Sequence, residues 1–172
     1  MKKEEKRKML EMVEKEYGLG KLFLVFRDGR LCALEFGDPG PGKLAALHHR
    51  FGERELRPGP GNPAILDRLD AYFAGDLRAI DPIPVDSWGT SFQQRVWGEL
   101  RKIPPGRTIS YLDLARAIDR PGAVRAVGRA NGANPVSIVV PCHRVIASDG
   151  SMCGYGGGIE RKRWLLGHEA GI

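Results

Sequence analysis

Cysteine is scarce: Cys32, Cys142 and Cys153 are the only three in 172 residues. An odd count does not describe a disulfide scaffold. The first residues, MKKEEKRK, are charged and lack the apolar core of a secretory leader, so free thiols in a reducing cytoplasm are expected. No apolar run approaches the roughly 18 residues that would suggest a membrane span. No internal repeat is visible. What is left is an ordinary globular composition, 42% hydrophobic and 28% charged. The chain is long enough to bury a core as one domain or as two small ones.

Excess negative charge is also missing, and unevenly so. Residues 1–86 hold 15 Lys and Arg against 15 Asp and Glu, whereas residues 87–172 hold 12 against 6. The whole net charge of +6 therefore sits in the second half, where ten of the twelve cations are Arg. Arginine forks phosphates and stacks on bases, so a polyanionic partner for this half is the natural inference. A basic face that serves only solubility is the other reading.

Residues 2–16 alternate in charge sign with few apolar anchors, and are expected as a solvated helix or a loose arm. Two apolar segments, Lys21 to Phe26 and Leu31 to Phe36, flank Asp28-Gly29, a strong hairpin signal. Leu44 to Phe51 suits a short helix and Glu53 to Arg57 a third strand. Asn62 followed by Pro63 begins a helix, with Ile65, Leu66, Leu69, Tyr72 and Phe73 at helical spacing and Gly75 ending it. No polar cluster converges in this half, so it is expected to support rather than to react. Asp81 to Asp86, with Pro82 and Pro84, reads as an extended linker. The expected organisation is α+β: a supporting unit over 1–86, a linker over 81–89, and a second unit over 87–172.

The second half turns almost wholly helical. Thr90 with Gln93 forms a capping box before Phe92, Val96, Trp97 and Leu100, and Pro104-Pro105-Gly106 stops that helix. Ser110 with Asp113 starts another, through Leu112, Leu114, Ala115 and Ile118. A turn at Pro121-Gly122 leads to a third, ending near Asn131. Helix, tight turn, helix is a DNA-binding signature. On the third helix Val124, Val127 and Asn131 share one side, with Ala123, Ala126 and Ala130 beside them and Arg125 and Arg129 apart. An alanine face is slender enough to approach the minor groove, about 6 Å wide in B-DNA. Such docking leaves an arginine free to enter the stack in place of an extruded base. Plain alanine helix propensity with solvated arginines explains the same pattern.

The most informative stretch is Asn134 to Val145. The apolar residues Val136, Ile138, Val139 and Val140 end at Pro141, where the chain must leave a ladder or a helix. A thiol, an imidazole and a guanidinium follow at once in Cys142, His143 and Arg144. A nucleophile, a proton acceptor and a cation are what a reactive cysteine requires. Taken alone, Cys142 is equally a small buried apolar residue. Sequence neighbours on a strand point to opposite faces, so a Cys142–His143 pairing needs a turn, which Pro141 favours.

Six motifs then stand in order: Ser110-Tyr-Leu-Asp-Leu-Ala115, Val124-Arg-Ala-Val-Gly128, Asn134-Pro-Val136, Pro141-Cys-His-Arg-Val145, Gly154-Tyr-Gly-Gly-Gly158 and Trp164-Leu-Leu-Gly-His-Glu169. In this register they resemble the O6-alkylguanine-DNA alkyltransferases. The resemblance is strong from about residue 88 to about residue 170, and the first half is compatible with that family's variable domain. It implies a ribonuclease H-like N-terminal domain and a winged-helix-like helix-turn-helix C-terminal domain. The implied activity is direct reversal of damage in double-stranded DNA, with no cofactor. Cys142 would accept the alkyl group from O6-alkylguanine, and from O4-alkylthymine, in a single irreversible turnover. His143 would deprotonate the thiol through a water, held by Glu169, while Asn134 would order the turn. Tyr111 would assist nucleotide rotation and donate to the purine. Arg125 would fill the vacated stack, with Ala123, Ala126, Gly128 and Ala130 against the minor groove. Val145, Ser148, Tyr155 and Gly156 would line the base pocket. The implied protein is a monomer, cooperative or independent on DNA.

Three departures from the family pattern stand out. Ser137 occupies a position that is proline in many members and contacts bulky alkyl groups. Gly156 replaces a serine found in some. Cys32, His48 and His49 lack the four-ligand spacing of the structural zinc that some eukaryotic members hold, so no metal is expected. Arg144 is expected to tie loops together rather than act as a catalytic cation, Cys32 to be packed, and Cys153 to be incidental. Two rival readings remain. One is a non-enzymatic, alkyltransferase-like lesion binder, against which Cys142 itself argues. The other is a helix-turn-helix regulator reading the major groove.

Overall fold

Asp28 and Gly29 both take positive φ, 50° and 75°, which is what a two-residue turn between twisted antiparallel strands demands. The hairpin they close is β2 (Gly20–Arg27) with β3 (Arg30–Phe36). In the computed structural model, which describes residues 9–52, 55–86 and 88–171, this hairpin lies in a four-stranded sheet. The order is β3-β2-β1-β4, from β1 (Met9–Tyr17) and β4 (Glu55–Pro58).

The alternating-charge segment is therefore a strand where it is described, not a helix or an arm. It pairs antiparallel with β2 from Glu11↔Phe26 to Tyr17↔Gly20, and parallel with β4. Two paired edges override the helix propensity of Glu, Lys and Met, because ladder bonds and cross-strand packing outweigh a few tenths of a kilocalorie per residue. Residues 2–8 of that expectation lie outside the described residues, as do 53 and 54 of the expected strand. The described remainder of that strand is β4.

The β2–β3 hairpin is buried on both faces, so β2 is a continuous apolar run. Phe23, Val25, Cys32 and Ala33 pack under α1 (Pro41–Phe51) through Leu47 and Phe51. Leu22, Leu24, Phe26, Leu31 and Leu34 face α2 (Pro63–Phe73) and the second half of the chain. Asn62 caps α2, its side chain accepting from Ala64 N–H at 3.1 Å. Asp81 to Asp86 is extended toward its end but is not a free tether. Ile80 and Ile83 are buried, Asp86 N–H donates to Leu31 O at 2.8 Å, and Asp86 pairs with Arg27.

In the second half the capping box at Thr90 opens α3 (Ser91–Leu100), with both reciprocal bonds formed. Ser110 does the same for α4 (Tyr111–Ala117). A turn leads to α5 (Val124–Gly132), and α6 (Ile159–Ala170) closes the chain. A two-residue parallel ladder, β5 (Ile109–Ser110) with β6 (Val145–Ile146), lays the start of α4 beside the residues that follow Cys142. Strand β3 reaches across as well. Leu34 N–H donates to Pro135 O at 3.0 Å and Ser137 N–H donates to Leu34 O at 2.9 Å. A proline at position 137 would lack the second of these bonds. One buried apolar cluster runs from Leu22 and Tyr72 through Val96, Val127 and Val136 to Cys142 and Leu165.

Candidate active site

Pro141 does turn the chain. Residues Cys142–Arg144 form a single 3-10 turn, entered through Cys142 N–H donating to Val140 O at 2.8 Å. Asn134 builds the wall behind it. Its Nδ2 donates to Val140 O at 2.7 Å and its Oδ1 accepts from Val136 N–H at 3.0 Å. Within that loop Ile138 sits at φ 71°, a left-handed conformation that a β-branched residue rarely adopts. Asn131, from α5, donates to Cys142 O at 3.4 Å, so the helix and the thiol turn are joined directly.

Cys142 is 6% exposed. Burial pushes its thiol up to about 11, while a hydrogen bond from Asn134 works the other way and Glu35 adds to the rise. Left alone, such a thiol is ionised in only about one molecule in 10⁴ at neutral pH. His143 is fully buried, and its Nε2 lies 2.9 Å from Glu169 Oε1. Burial of Glu169 alone would favour its neutral form, but bonds from His143 and Arg144 hold the carboxyl well below the usual range. An ionised carboxylate can only accept, so His143 carries its proton on Nε2 and presents Nδ1 as an acceptor. That Nδ1 meets no hydrogen-bond partner among the described residues. Burial lowers the imidazole's proton affinity, so the ring stays neutral around pH 7.

Arg144 ties the loops, as expected. It forks Glu169 through Nε at 2.9 Å and Nη2 at 2.7 Å, and donates from Nη1 to Ile103 O at 2.6 Å. Sequence reasoning missed two partners. Tyr72, placed only in an apolar helical stripe, donates its hydroxyl to Glu169 Oε1 at 2.8 Å. The available signal was that a buried tyrosine needs a partner for its polar tip. Lys162, within the charged run from Glu160 to Arg163, is 1% exposed and donates to Val145 O at 2.6 Å and to Cys153 O at 3.2 Å. It braces the 145–153 segment, and nothing in the sequence marks it.

The other expected residues fall on two sides of this turn. Tyr111 is half-buried at the start of α4, close enough to feel the charge of Cys142 and Cys153, with its hydroxyl raised mainly by burial. A Cβ on Gly128 would meet the Tyr111 ring at 3.8 Å, so a small residue at 128 lets α5 lie against it. Arg125 is exposed, and Ala123, Ala126 and Gly128 are partly exposed along α5. Ala130 is a correction: it is 2% exposed and faces inward, its carbonyl taken by Trp97 Nε1 at 2.8 Å. At 100° per residue it lies 40° past Ala126, on the Val127 side, and packing against α3 puts it in the core. Val145 is fully buried, Ser148 and Gly156 are exposed, and Tyr155 packs edge-on against Phe36 at 5.8 Å with its hydroxyl near Ser137. At Gly157 a Cβ would lie 2.4 Å from Phe36 Cδ2, so only glycine fits. Cys32 is packed and its thiol donates to Val25 O at 3.2 Å, while Cys153 is half-buried in the loop. A groove of about 730 Å³ along α6, lined by Met152, Trp164 and His168 among others, does not include Cys142 and holds none of this chemistry.

Residues 91–171 match the family profile described as 6-O-methylguanine DNA methyltransferase, DNA binding domain. The methylated-DNA–protein-cysteine methyltransferase of Shigella flexneri is 46% identical over 168 residues, 94% of this chain and 97% of that protein. The crystal structure of the Mycobacterium tuberculosis O6-methylguanine methyltransferase superposes with a TM-score of 0.77 at 40% identity, covering 95% of this chain and 94% of that one. The same mycobacterial protein in complex with DNA gives 0.77 at 40% identity, over 95% and 93%. The chain thus has relatives along almost its whole length, and it belongs to the O6-alkylguanine-DNA alkyltransferase family, the methylated-DNA–protein-cysteine methyltransferases.

Proposed function

We propose that this protein repairs O6-alkylguanine in duplex DNA by taking the alkyl group onto Cys142, once and irreversibly. The observation that carries the reading is the buried relay in the thiol's own turn, in which Glu169 fixes His143 through Nε2 and leaves its unpartnered Nδ1 as an acceptor. A water bridging Nδ1 and the thiol passes the proton to the imidazole. The thiolate then attacks the alkyl carbon, the carbon–O6 bond breaks, and guanine leaves as its anion, which takes a proton with the Tyr111 hydroxyl as donor. The product is a thioether. Water cannot hydrolyse it, so each molecule acts once, and O4-alkylthymine follows the same course.

DNA docks along α5 from the minor groove, where Ala123, Ala126 and Gly128 allow close approach and the exposed Arg125 enters the stack behind the extruded base. Tyr111 steers the rotating nucleotide. The purine lies against Val145, Ser148, Tyr155 and Gly156. Because Cys142 is only 6% exposed, the irregular segment after Ile146 must yield to admit it. Two architectural readings accompany this. The order β3-β2-β1-β4, with β4 parallel to β1, supports a ribonuclease H-like first domain over 1–86. The small β5–β6 ladder beside α4 and α5 supports a winged-helix-like second domain over 87–172. The protein acts as a monomer in the cytoplasm.

The test is mass spectrometry after incubation with a duplex containing O6-methylguanine. The peptide carrying Cys142 gains one methylene mass, and Cys142→Ser binds the same DNA without any gain. Binding without transfer by the unaltered protein would instead make it a lesion-binding module.

A further inference from the structure

Glu169 carries more donors than an imidazole-orienting carboxylate needs. Its Oε1 accepts from Tyr72 Oη at 2.8 Å, from His143 Nε2 at 2.9 Å and from Arg144 Nη2 at 2.7 Å. Tyr72 comes from α2, 97 positions before Glu169, and it is fully buried. Its ring is held edge-on by Phe73 and by His168, at 5.1 Å each, and His168 Nε2 lies 2.8 Å from Tyr72 O. The hydroxyl is thus aimed by packing and has no solvent alternative.

Every donor on Oε1 withdraws charge that would otherwise stabilise a proton on His143. The other groups acting on that ring are Arg144 and Lys162, which both disfavour its protonation, and Glu169, which favours it. Cys142 precedes it in the turn, with Glu35 and Lys162 acting on that thiol, and His168 and Tyr155 border Tyr72. Arg144 is fixed by its own fork and by Ile103 O, which leaves the Tyr72 hydroxyl as the uncharged donor that tunes the carboxylate.

We propose that Tyr72 is a positioning residue for alkyl transfer: its hydroxyl holds Glu169 against His143 and draws charge from it, keeping the imidazole neutral and its Nδ1 free to accept the thiol proton. The inference rests on the reading of His143 as the base. It makes the first half of the chain part of the reaction machinery, although Tyr72 touches no reacting atom.

The experiment is the pH dependence of single-turnover methyl transfer, from about pH 5 to about pH 9, for the whole protein. In Tyr72→Phe the acid limb moves to higher pH by about half a unit or more, because Glu169 then favours the imidazolium more strongly. Fluorotyrosine placed at residue 72, a stronger donor, moves it the other way. Affinity for lesion DNA changes by less than about twofold in both, and an NMR titration of the His143 ring shows the same opposed displacements. A merely structural tyrosine would lower the rate at every pH without moving the limb. A limb that His143→Gln abolishes, yet neither change at 72 displaces, overturns the role of Tyr72 alone. A limb that survives His143→Gln overturns the base reading beneath it.

Discussion

At the scale of single residues, the site is an exercise in disposing of one buried negative charge. Glu169 is tolerable only because His143, Arg144 and Tyr72 all donate to it. Removing one partner of a buried pair leaves the other uncompensated. Arg144→Met is expected to cost about 3–5 kcal/mol, read from denaturant unfolding. The pH dependence of stability follows from the two depressed groups. His143 is neutral when folded yet takes a proton near its ordinary 6.5 when unfolded, and Glu169 stays ionised when folded yet takes one near 4.5 when unfolded. In both cases the unfolded chain binds more protons, so stability rises with pH. On account of these two groups it is expected to be level from about 6.5 to about 8.5, to fall as the pH drops through about 6.5, and to fall further below about 4.5. Above about 9 the raised thiols of Cys142 and Cys32 lower it again. Glu169→Gln removes the lower part of that slope in a set of melts across pH.

Helices α4 and α5 and the thiol turn form the next scale up. They are locked by few bonds: β5 to β6, Asn131 to Cys142 O, and Trp97 to Ala130 O. Arg125 stands outside these bonds and is exposed. Arg125→Ala is therefore expected to leave stability within about 0.5 kcal/mol of the unaltered protein. It should slow transfer from duplex DNA far more than from the free base, since only the duplex has a stack to refill. Equal slowing on both substrates would contradict that part. Thr90 caps α3, and Thr90→Ala is expected to cost about 1 kcal/mol, read from denaturant unfolding.

Across the whole molecule, the two halves share more than a chain connection. Leu34 is fully buried and its strand pairs with Pro135 and Ser137, while Tyr72 closes on Glu169. A single transition, with far-UV and near-UV signals coincident, is expected on unfolding. Leu34→Ala should lower its midpoint by the equivalent of about 2–5 kcal/mol and slow transfer as well, because the residue backs the active-site loop.

The hairpin, the capping boxes, the apolar stripes and the motif around Cys142 were legible in the sequence because each rests on local chemistry. Asp-Gly asks for positive φ, Thr and Gln exchange bonds three residues apart, and Pro141 cannot continue a ladder. Whether Met9–Tyr17 is a strand was not decided locally, since its charged alternation suits a helix equally and only pairing on both edges settles it. Nor did the sequence reveal that Tyr72 and Lys162 serve the site, or that Ala130 faces inward. These depend on contacts between positions far apart in the chain, 97 residues in the case of Tyr72 and Glu169, and no local pattern encodes a meeting at that distance. The sequence determined the chemistry the protein carries. The tertiary structure decided which groups surround it, because burial and charge are properties of what folds against a residue rather than of the residue itself.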